Sequence, residues 1–233
     1  MLDDVITSRS SELLGKCVVE VSRLYGGRNS QVFKLTCPEN TQYALKVYLE
    51  DSFLGRDRLG TEVTSLEFLW SNNIRCIPQP IVSDNSLGYA IYEYIDGVKI
   101  SAEAITSDEI DAAAKLLLDI DQCRDEIGSK NLPPASEARF SARDIIHNLK
   151  IRSERLLAIK GSGSLYGELE CYLKLEFSPV LNNVIRWCEQ SLLDSQISIS
   201  QELCIHNRIL SPSDFGFHNA LKRGGETVFL DFE

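Results

Sequence analysis

Several signatures of common protein classes are missing from this 233-residue chain. No apolar run approaches the roughly 18–20 residues that a membrane-spanning helix needs. The first residues are acidic and polar, and they lack the basic and apolar regions of a signal peptide. We therefore expect a cytoplasmic protein that has no membrane partner.

Paired cysteines are also missing. The seven cysteines are odd in number, widely scattered and without a C-x-x-C pair. A disulfide framework needs paired cysteines in an oxidising compartment, and a zinc site needs closely spaced ligands. We expect neither, and the cysteines are predicted to be reduced and buried.

Positive charge is scarce, since 24 Lys and Arg residues face 34 Asp and Glu residues, for a net charge of −10. Proteins that bind nucleic acids generally neutralise phosphates with a basic face, so no nucleic-acid partner is expected. The acidity could steer a cationic substrate, but it is also ordinary for a soluble protein.

Histidine is scarce as well, with three residues, and no G-x-S-x-G motif occurs. A Ser/His/Asp triad is therefore not indicated. His218 could contact a substrate, but it could equally pack against its neighbours or face solvent.

Strand patterns dominate the first part of the chain. Runs of apolar or alternating residues predict strands over residues 18–24, 31–36, 42–49, 80–83 and 89–95, with turn signals between them. Residues 58–71 carry apolar side chains at helical spacing and predict one helix.

Helical patterns dominate the second part. They predict helices over residues 107–125, 141–160 and 168–194, with Ser107 or Asp108 as N-cap of the first. Short segments follow at 209–211, 219–222 and 227–232, with a turn predicted at Gly224 and Gly225. The sequence thus predicts an α+β protein with two lobes, residues 1–95 and 96–233, the first an antiparallel sheet with one helix and the second mostly helical.

The most informative residues stand near the end. Asp214 and Asn219 have the spacing D-x-x-x-x-N, and Asp231 follows in the predicted strand VFLDF. Phosphoryl transfer needs a carboxylate near the acceptor hydroxyl and oxygen ligands that hold Mg²⁺ on the phosphates. Asp214 is a candidate catalytic base, and Asn219 and Asp231 are candidate metal ligands. The alternative is a polar turn in which these side chains cap backbone groups.

This segment resembles the catalytic loop and metal-binding motif of the aminoglycoside phosphotransferase family, which shares the protein-kinase fold with choline kinases. The family pattern is H-G-D-x-x-x-x-N followed by a strand that ends in I-D-[FW]-E. Here Pro212 and Ser213 stand in place of the His and the Gly. The resemblance implies a protein-kinase-like two-lobe fold and an ATP- and Mg²⁺-dependent phosphotransferase. Its partner would be a small molecule with a hydroxyl group.

The resemblance also implies a nucleotide site in the first lobe. Gly26, Gly27 and Ser30 match the family's nucleotide loop, although Gly-Gly in a hairpin is usually only a turn. The matching lysine is Lys46, which would reach the α- and β-phosphates and pair with Glu62. Taken alone, Lys46 could instead point outward from an edge strand, and Glu62 could be a first-turn glutamate favoured by the helix dipole.

The segment IYEYIDG resembles the hinge between the lobes. There the main chain of Glu93, Tyr94 and Ile95 would face the adenine. A plain strand end is the alternative.

The sequence stops at Glu233, whereas proteins of the resembled family continue into helices that help to form the acceptor pocket. We therefore expect an incomplete C-terminal lobe and impaired or absent turnover. A nucleotide-binding pseudoenzyme or inactive remnant is the alternative to an active kinase. A protein kinase is disfavoured because the HRD and APE motifs are absent and Asp231 and Phe232 are followed by Glu233 in place of a glycine.

Overall fold

The computed structural model describes residues 2–24, 30–48, 57–135, 137–212 and 214–232. The chain forms two compact units, one built from Met1–Glu137 and Ile209–Glu233 and the other from Ala138–Arg208. The lobe division predicted at residues 95 and 96 stays a prediction.

A five-stranded antiparallel sheet is the centre of the first unit. The strands have the order β1-β2-β3-β5-β4, so β3 lies in the middle. Each strand lies within about two residues of its predicted position, because the alternation of apolar residues matches the two faces of a strand. The bounds are β1 (Glu20–Leu24), β2 (Ser30–Thr36), β3 (Gln42–Tyr48), β4 (Pro80–Asp84) and β5 (Tyr89–Glu93).

A helix packs near each face of this sheet. One face buries Phe33, Leu35 and Leu45 together with Ile6 of helix α1 (Leu2–Leu14). The sequence analysis did not predict α1, since its sequence is mainly polar and only a narrow apolar stripe is buried. The predicted helix α2 (Arg58–Ser71) packs near the other face, which carries the side chains of Lys46, Tyr48 and Tyr92.

A second, three-stranded sheet brings the end of the chain into the first unit. It has the order β6-β7-β8, with β6 (Val98–Lys99), β7 (Ala220–Arg223) and β8 (Glu226–Phe229). Gly224 and Gly225 turn the β7–β8 hairpin at positive φ angles of 57° and 93°, which glycine adopts without a side-chain clash. This is the turn that the sequence predicted.

Helix α3 (Ser107–Gln122) belongs to the same unit. Its N-cap is Thr106, whereas the sequence analysis placed the cap at Ser107 or Asp108. Thr106 forms a capping box with Glu109. The Thr106 hydroxyl accepts from backbone N–H groups of the first turn, and the Glu109 carboxylate accepts from the backbone N–H of Thr106. The glutamate three positions after the threonine makes this the better cap.

The predicted strand over residues 227–232 ends early. Strand β8 stops at Phe229, and Asp231 lies beyond it with a φ angle of +68°. The left-handed conformation turns the chain out of the strand at this point. The expectation that Asp231 lies in a strand is therefore wrong.

The second unit is helical. Helix α4 (Ala142–Leu157) begins at a capping box formed by Ser141 and Asp144. Helices α5 (Ser164–Tyr172) and α6 (Ser178–Asp194) are joined by a π-helical turn, Leu173–Phe177. Helix α5 begins at Ser164, four residues before the predicted start of the helix over residues 168–194.

The seven cysteines are free. Cys37 and Cys123 are buried as expected, but the expectation of burial is wrong for Cys17, Cys171 and Cys204, which are exposed. Two of those three lie in the helical second unit, whose helices bury few of their side chains. Among the helices of the described residues, none is long and apolar enough to cross a membrane.

Candidate active site

Lys46 lies in the middle of the five-stranded sheet. Strand β3 is flanked by β2 and β5, so Lys46 is not an edge residue, and that alternative is wrong. The residue is only 8% exposed, and its Nζ donates a hydrogen bond of 2.6 Å to Oε2 of Glu62. A buried lysine is stable as a cation only beside an anionic partner, and α2 supplies that partner.

Glu62 lies one turn into α2 and is 4% exposed. Its Oε2 accepts from Lys46 and from the hydroxyl of Tyr48, and its Oε1 accepts from the backbone N–H of Phe232 at 3.4 Å. Three donors surround the carboxylate, which offsets the cost of removing a charge from water. Of the two glutamates on this helix, Glu62 is the one that faces Lys46.

Two tyrosines that the sequence analysis missed complete this cluster. The hydroxyl groups of Tyr48 and Tyr92 are 2.9 Å apart, and both side chains are buried. Burial, together with the adjacent Glu62 and Tyr92, raises the pKa of Tyr48 far above its usual range, so the hydroxyl keeps its proton. The signal was present in the sequence, since Tyr48 follows Lys46 by two residues and shares its strand face.

Asp231 is the second carboxylate beside Lys46. Its Oδ1 accepts a hydrogen bond of 2.5 Å from the lysine Nζ, and its side chain is 34% exposed. The positive φ of Asp231 is a conformation that costs about 1–3 kcal/mol for a residue other than glycine. The ion pair of Asp231 with Lys46 and the hydrogen bond from the N–H of Phe232 to Glu62 hold these two consecutive residues in place.

Asn219 is tied to both neighbouring segments. Its side-chain nitrogen donates to the carbonyl of Asp214 at 3.0 Å, and its own carbonyl accepts from Leu230 at 2.7 Å. The hydrogen bond from Leu230 places Asn219 opposite Leu230, which directly precedes Asp231 in the chain. The open end of the β7–β8 hairpin thus brings the two candidate metal ligands together.

The Asp214 side chain is 79% exposed, in contrast to the buried Lys46 cluster. His218 Nε2 lies 3.3 Å from its Oδ2. A Cβ at Gly216 would lie only 2.7 Å from the His218 ring, so glycine lets this histidine fold back toward Asp214. Ser213, which replaces the family's glycine, lies outside the described residues.

Aromatic packing supports this loop. The rings of Phe215 and Phe217 have centroids 5.1 and 6.4 Å from that of Phe229, a buried residue of β8. Both distances fall in the range of favourable aromatic pairs. The sequence analysis did not identify this contact, which anchors the segment that carries Asp214 to the hairpin.

The donor set fits a magnesium ion. Carboxylate and amide oxygens are hard ligands, and Mg²⁺ is usually held by one or two carboxylates together with substrate phosphates. Asp231 supplies a carboxylate that is partly open to solvent, and Asn219 supplies an amide oxygen. Across the residues that the structure describes, no group of three or more His, Cys, Asp or Glu side chains could hold a metal ion.

The predicted hinge residues have well-defined partners. The N–H of Glu93 donates to the carbonyl of Gln79 at 2.8 Å, and its carboxylate accepts from Arg223 at 2.6 Å. The Tyr94 ring lies 4.5 Å from the Lys34 ammonium, and Ile95 is buried. The main-chain role predicted for these residues stays a prediction.

Of the residues predicted to form the nucleotide loop, the structure describes Ser30, which is buried at the start of β2. Gly26 and Gly27 lie outside the described residues. Their predicted contact with phosphates therefore stays a prediction.

No protein-family model matches the sequence, and no curated protein is similar to it. Solved structures with a similar fold exist nonetheless. A spectinomycin phosphotransferase in complex with ADP and spectinomycin is 15% identical, with a TM-score of 0.63 over 100% of this chain and 69% of the other. Choline kinase from Cryptosporidium parvum is 14% identical, with a TM-score of 0.57 over 92% of this chain and 58% of the other.

An amicoumacin kinase in complex with AMP-PNP and Ca²⁺ is 12% identical, with a TM-score of 0.54 over 98% of this chain and 63% of the other. This chain therefore spans between 58% and 69% of the lengths of the three proteins. All three are small-molecule kinases. The resemblance predicted from the sequence is confirmed at the level of the fold, and the chain has the protein-kinase-like α+β fold that these small-molecule kinases share.

Proposed function

We propose that the protein is an ATP- and Mg²⁺-dependent phosphotransferase that moves the γ-phosphate to a hydroxyl group of a small molecule. The observation that carries this proposal is the position of the Lys46 ammonium, 2.6 Å from Glu62 and 2.5 Å from Asp231. These carboxylates come from residues 16 and 185 positions away in the chain. An ammonium group held between a buried glutamate and a partly exposed aspartate is well placed to bind phosphate oxygens.

Lys46 binds the α- and β-phosphate oxygens of ATP. Glu62 holds the ammonium in place, and the hydroxyl of Tyr48 holds Glu62 in turn. Because the lysine is already ordered in the sheet, little side-chain freedom is lost when the nucleotide binds. The neighbours' complexes with ADP and with AMP-PNP and Ca²⁺ support this use of a nucleotide and a divalent ion.

Asn219 and Asp231 would hold the metal ion through their oxygen atoms. When bound, Mg²⁺ would neutralise charge on the phosphate oxygens and favour transfer of the γ-phosphoryl group. The hydrogen bond from Leu230 to Asn219 keeps the two ligands on neighbouring positions. The positive φ of Asp231 turns its carboxylate away from the direction that a continued strand would give it.

Asp214 accepts the proton of the acceptor hydroxyl. Its exposed carboxylate is accessible to a small molecule, and its backbone carbonyl is tied to the metal ligand Asn219. General-base catalysis requires hydrogen-bond reach between the carboxylate and the hydroxyl. Candidate acceptors are aminoglycoside-like compounds, amino alcohols and sugars, in keeping with the spectinomycin and choline kinases among the structural neighbours.

Calorimetry with ADP and with Mg²⁺·ADP, combined with an ATP-turnover assay over a panel of hydroxylated amines and sugars, tests this function. We expect Mg²⁺-dependent nucleotide binding, and any turnover by this chain should depend on the acceptor. The Asp214→Asn variant should bind Mg²⁺·ADP as the native chain does and should lose turnover by about 100-fold or more. Asp111→Asn, at an exposed position of α3, is the matched control.

Binding without turnover in every acceptor assay would support a nucleotide-binding pseudoenzyme instead. Equal turnover by the Asp214→Asn variant and the native chain would overturn the assignment of the base. A native chain that binds neither ADP nor Mg²⁺·ADP would overturn the proposed function itself.

A further inference from the structure

The β7–β8 hairpin controls where the candidate metal ligands lie. Asn219 directly precedes β7, and Asp231 follows β8 by two residues. Both ligands therefore sit at the open end of the hairpin, while Gly224 and Gly225 form the closed end. A shift of the strands relative to the rest of the unit would move the two ligands together.

Arg223, the last residue of β7, contacts the predicted hinge. Its Nη1 donates to Oε1 of Glu93 at 2.6 Å, and both side chains are about one-third exposed. Oε2 of Glu93 accepts from the backbone N–H of Gln79 at 3.3 Å, and the N–H of Glu93 donates to Gln79. The glutamate is thus held by the end of the five-stranded sheet and holds Arg223 in turn.

Lys222 anchors the other side of the same strand. Consecutive residues of a strand point to opposite faces, and Lys222 forms an ion pair with Glu109 of α3. The Glu109 side chain is 1% exposed, and hydrogen bonds from Lys222 and Thr106 lower its pKa to about 2. This carboxylate stays charged at neutral pH, and it makes α3 a fixed anchor for the hairpin.

The chain after the hinge also lies against β7. Strand β6 pairs Val98 with Lys222, and a Cβ at Gly97 would lie 2.9 Å from the Lys222 carbonyl oxygen. The segment from Glu93 to Val98 therefore follows the hairpin closely. Any displacement of the hinge is transmitted to β7 through this backbone contact and through Arg223.

We propose that Glu93 and Arg223 form a positioning pair that couples nucleotide binding at the hinge to metal binding at Asn219 and Asp231. This inference rests on the function proposed above. Glu93 acts through its carboxylate, in addition to any contact of its main chain with adenine. Coupling of this kind is reciprocal, so the nucleotide strengthens metal binding by the same factor by which the metal strengthens nucleotide binding.

The test measures that factor directly. Calorimetry gives the Kd of ADP with and without Mg²⁺ for the native chain, and the ratio of the two Kd values is the coupling factor. Arg223→Met removes the ion pair and should reduce the factor about two- to fivefold, the range expected for a partly exposed pair. Arg223→Lys keeps a cation within reach of Glu93 and should restore most of it.

Lys115→Met is the matched control, since it removes an ion pair of the same length, 2.6 Å, between Lys115 and Asp119 on the exposed surface of α3. It should leave the coupling factor unchanged. A merely structural role of Arg223 would lower Tm and leave the ratio of the two Kd values as it is in the native chain.

The experiment distinguishes failure of the coupling from failure of the proposed function. An unchanged factor in Arg223→Met, or a factor that Arg223→Lys fails to restore, overturns the coupling and leaves the proposed function standing. Failure of the native chain to bind ADP under either condition overturns both proposals.

Discussion

The Lys46 ammonium lies 2.5 Å from a carboxylate oxygen of Asp231, although 185 positions separate the two residues in the sequence. The contact joins the middle strand of the five-stranded sheet to the segment that follows the β7–β8 hairpin. Because Lys46 also binds Glu62 at 2.6 Å, a single cation compensates two carboxylates. Stability and the proposed nucleotide binding therefore depend on the same side chain.

Replacing Lys46 by Met should lower the free energy of unfolding. The change leaves the Glu62 carboxylate buried without its cation and close to Asp231, and breaking a buried pair in this way costs about 3 kcal/mol. Urea unfolding measures the loss. The double variant Lys46→Met/Glu62→Gln should recover part of it, because one of the two charges is gone. Equal stability of Lys46→Met and the native chain would contradict the conclusion that Lys46 compensates the charges of both carboxylates.

Tyr48→Phe should be destabilising as well. The hydroxyl donates to a buried carboxylate, and a hydrogen bond to a charged group contributes about 1.5–3 kcal/mol. Tyr43→Phe is the control, since its hydroxyl bonds the ammonium of Lys16, an exposed residue whose charge is screened by water, and a smaller loss is expected. Chemical denaturation of the two variants gives the comparison, and a larger loss in Tyr43→Phe would refute the role of Tyr48.

The Glu109 anchor predicts a pH dependence. Its pKa in the folded protein is lowered from 4.5 to about 2, so the folded state binds this proton less readily than the unfolded state. The stabilisation is therefore complete above about pH 4.5 and is lost as the pH falls toward 2. Glu109→Gln should lower Tm at pH 7, and the difference from the native chain should shrink below pH 4.5.

Thermal melts between pH 7 and pH 3 measure this difference. Glu226→Gln, at an exposed position of the same hairpin, should leave Tm nearly unchanged throughout. A difference between Glu109→Gln and the native chain that stays constant across the range would show that the charge of Glu109 is not the cause.

Gly97→Ala tests the close contact between the post-hinge segment and β7. The added Cβ would lie 2.9 Å from a backbone oxygen of Lys222, so the strands must separate, at a cost of about 1–3 kcal/mol. Gly167→Ala in α5 has open space around it and should stabilise its helix by up to about 1 kcal/mol. Urea unfolding that gives the same sign for both variants would argue against the contact.

Local patterns were sufficient for most of the elements. The alternation of apolar residues predicted the five strands of the first sheet within about two residues, and the glycine pair at 224 and 225 predicted the hairpin turn. Such signals come from neighbours in the chain, which the sequence displays directly. Helix α1 was missed because its first turns are polar and its buried stripe is narrow.

The candidate site residues were also named from the sequence, through the motif around Asp214, Asn219 and Asp231 and the resemblance that it carries. The sequence analysis placed Asp231 inside a strand, because an apolar run does not reveal where a left-handed residue ends it. The buried tyrosines beside Glu62 were overlooked, although their strand positions were known.

What the sequence determined by itself was most of the elements, the fold class and the candidate phosphate-handling residues. Only the tertiary structure decided which distant charges meet, since Asp231 lies 185 positions from Lys46, Glu109 lies 113 from Lys222, and Glu93 lies 130 from Arg223. The physical reason is that an ion pair acts over a few ångströms of space. Separation along the chain carries no information about that distance until the sheets and helices have packed.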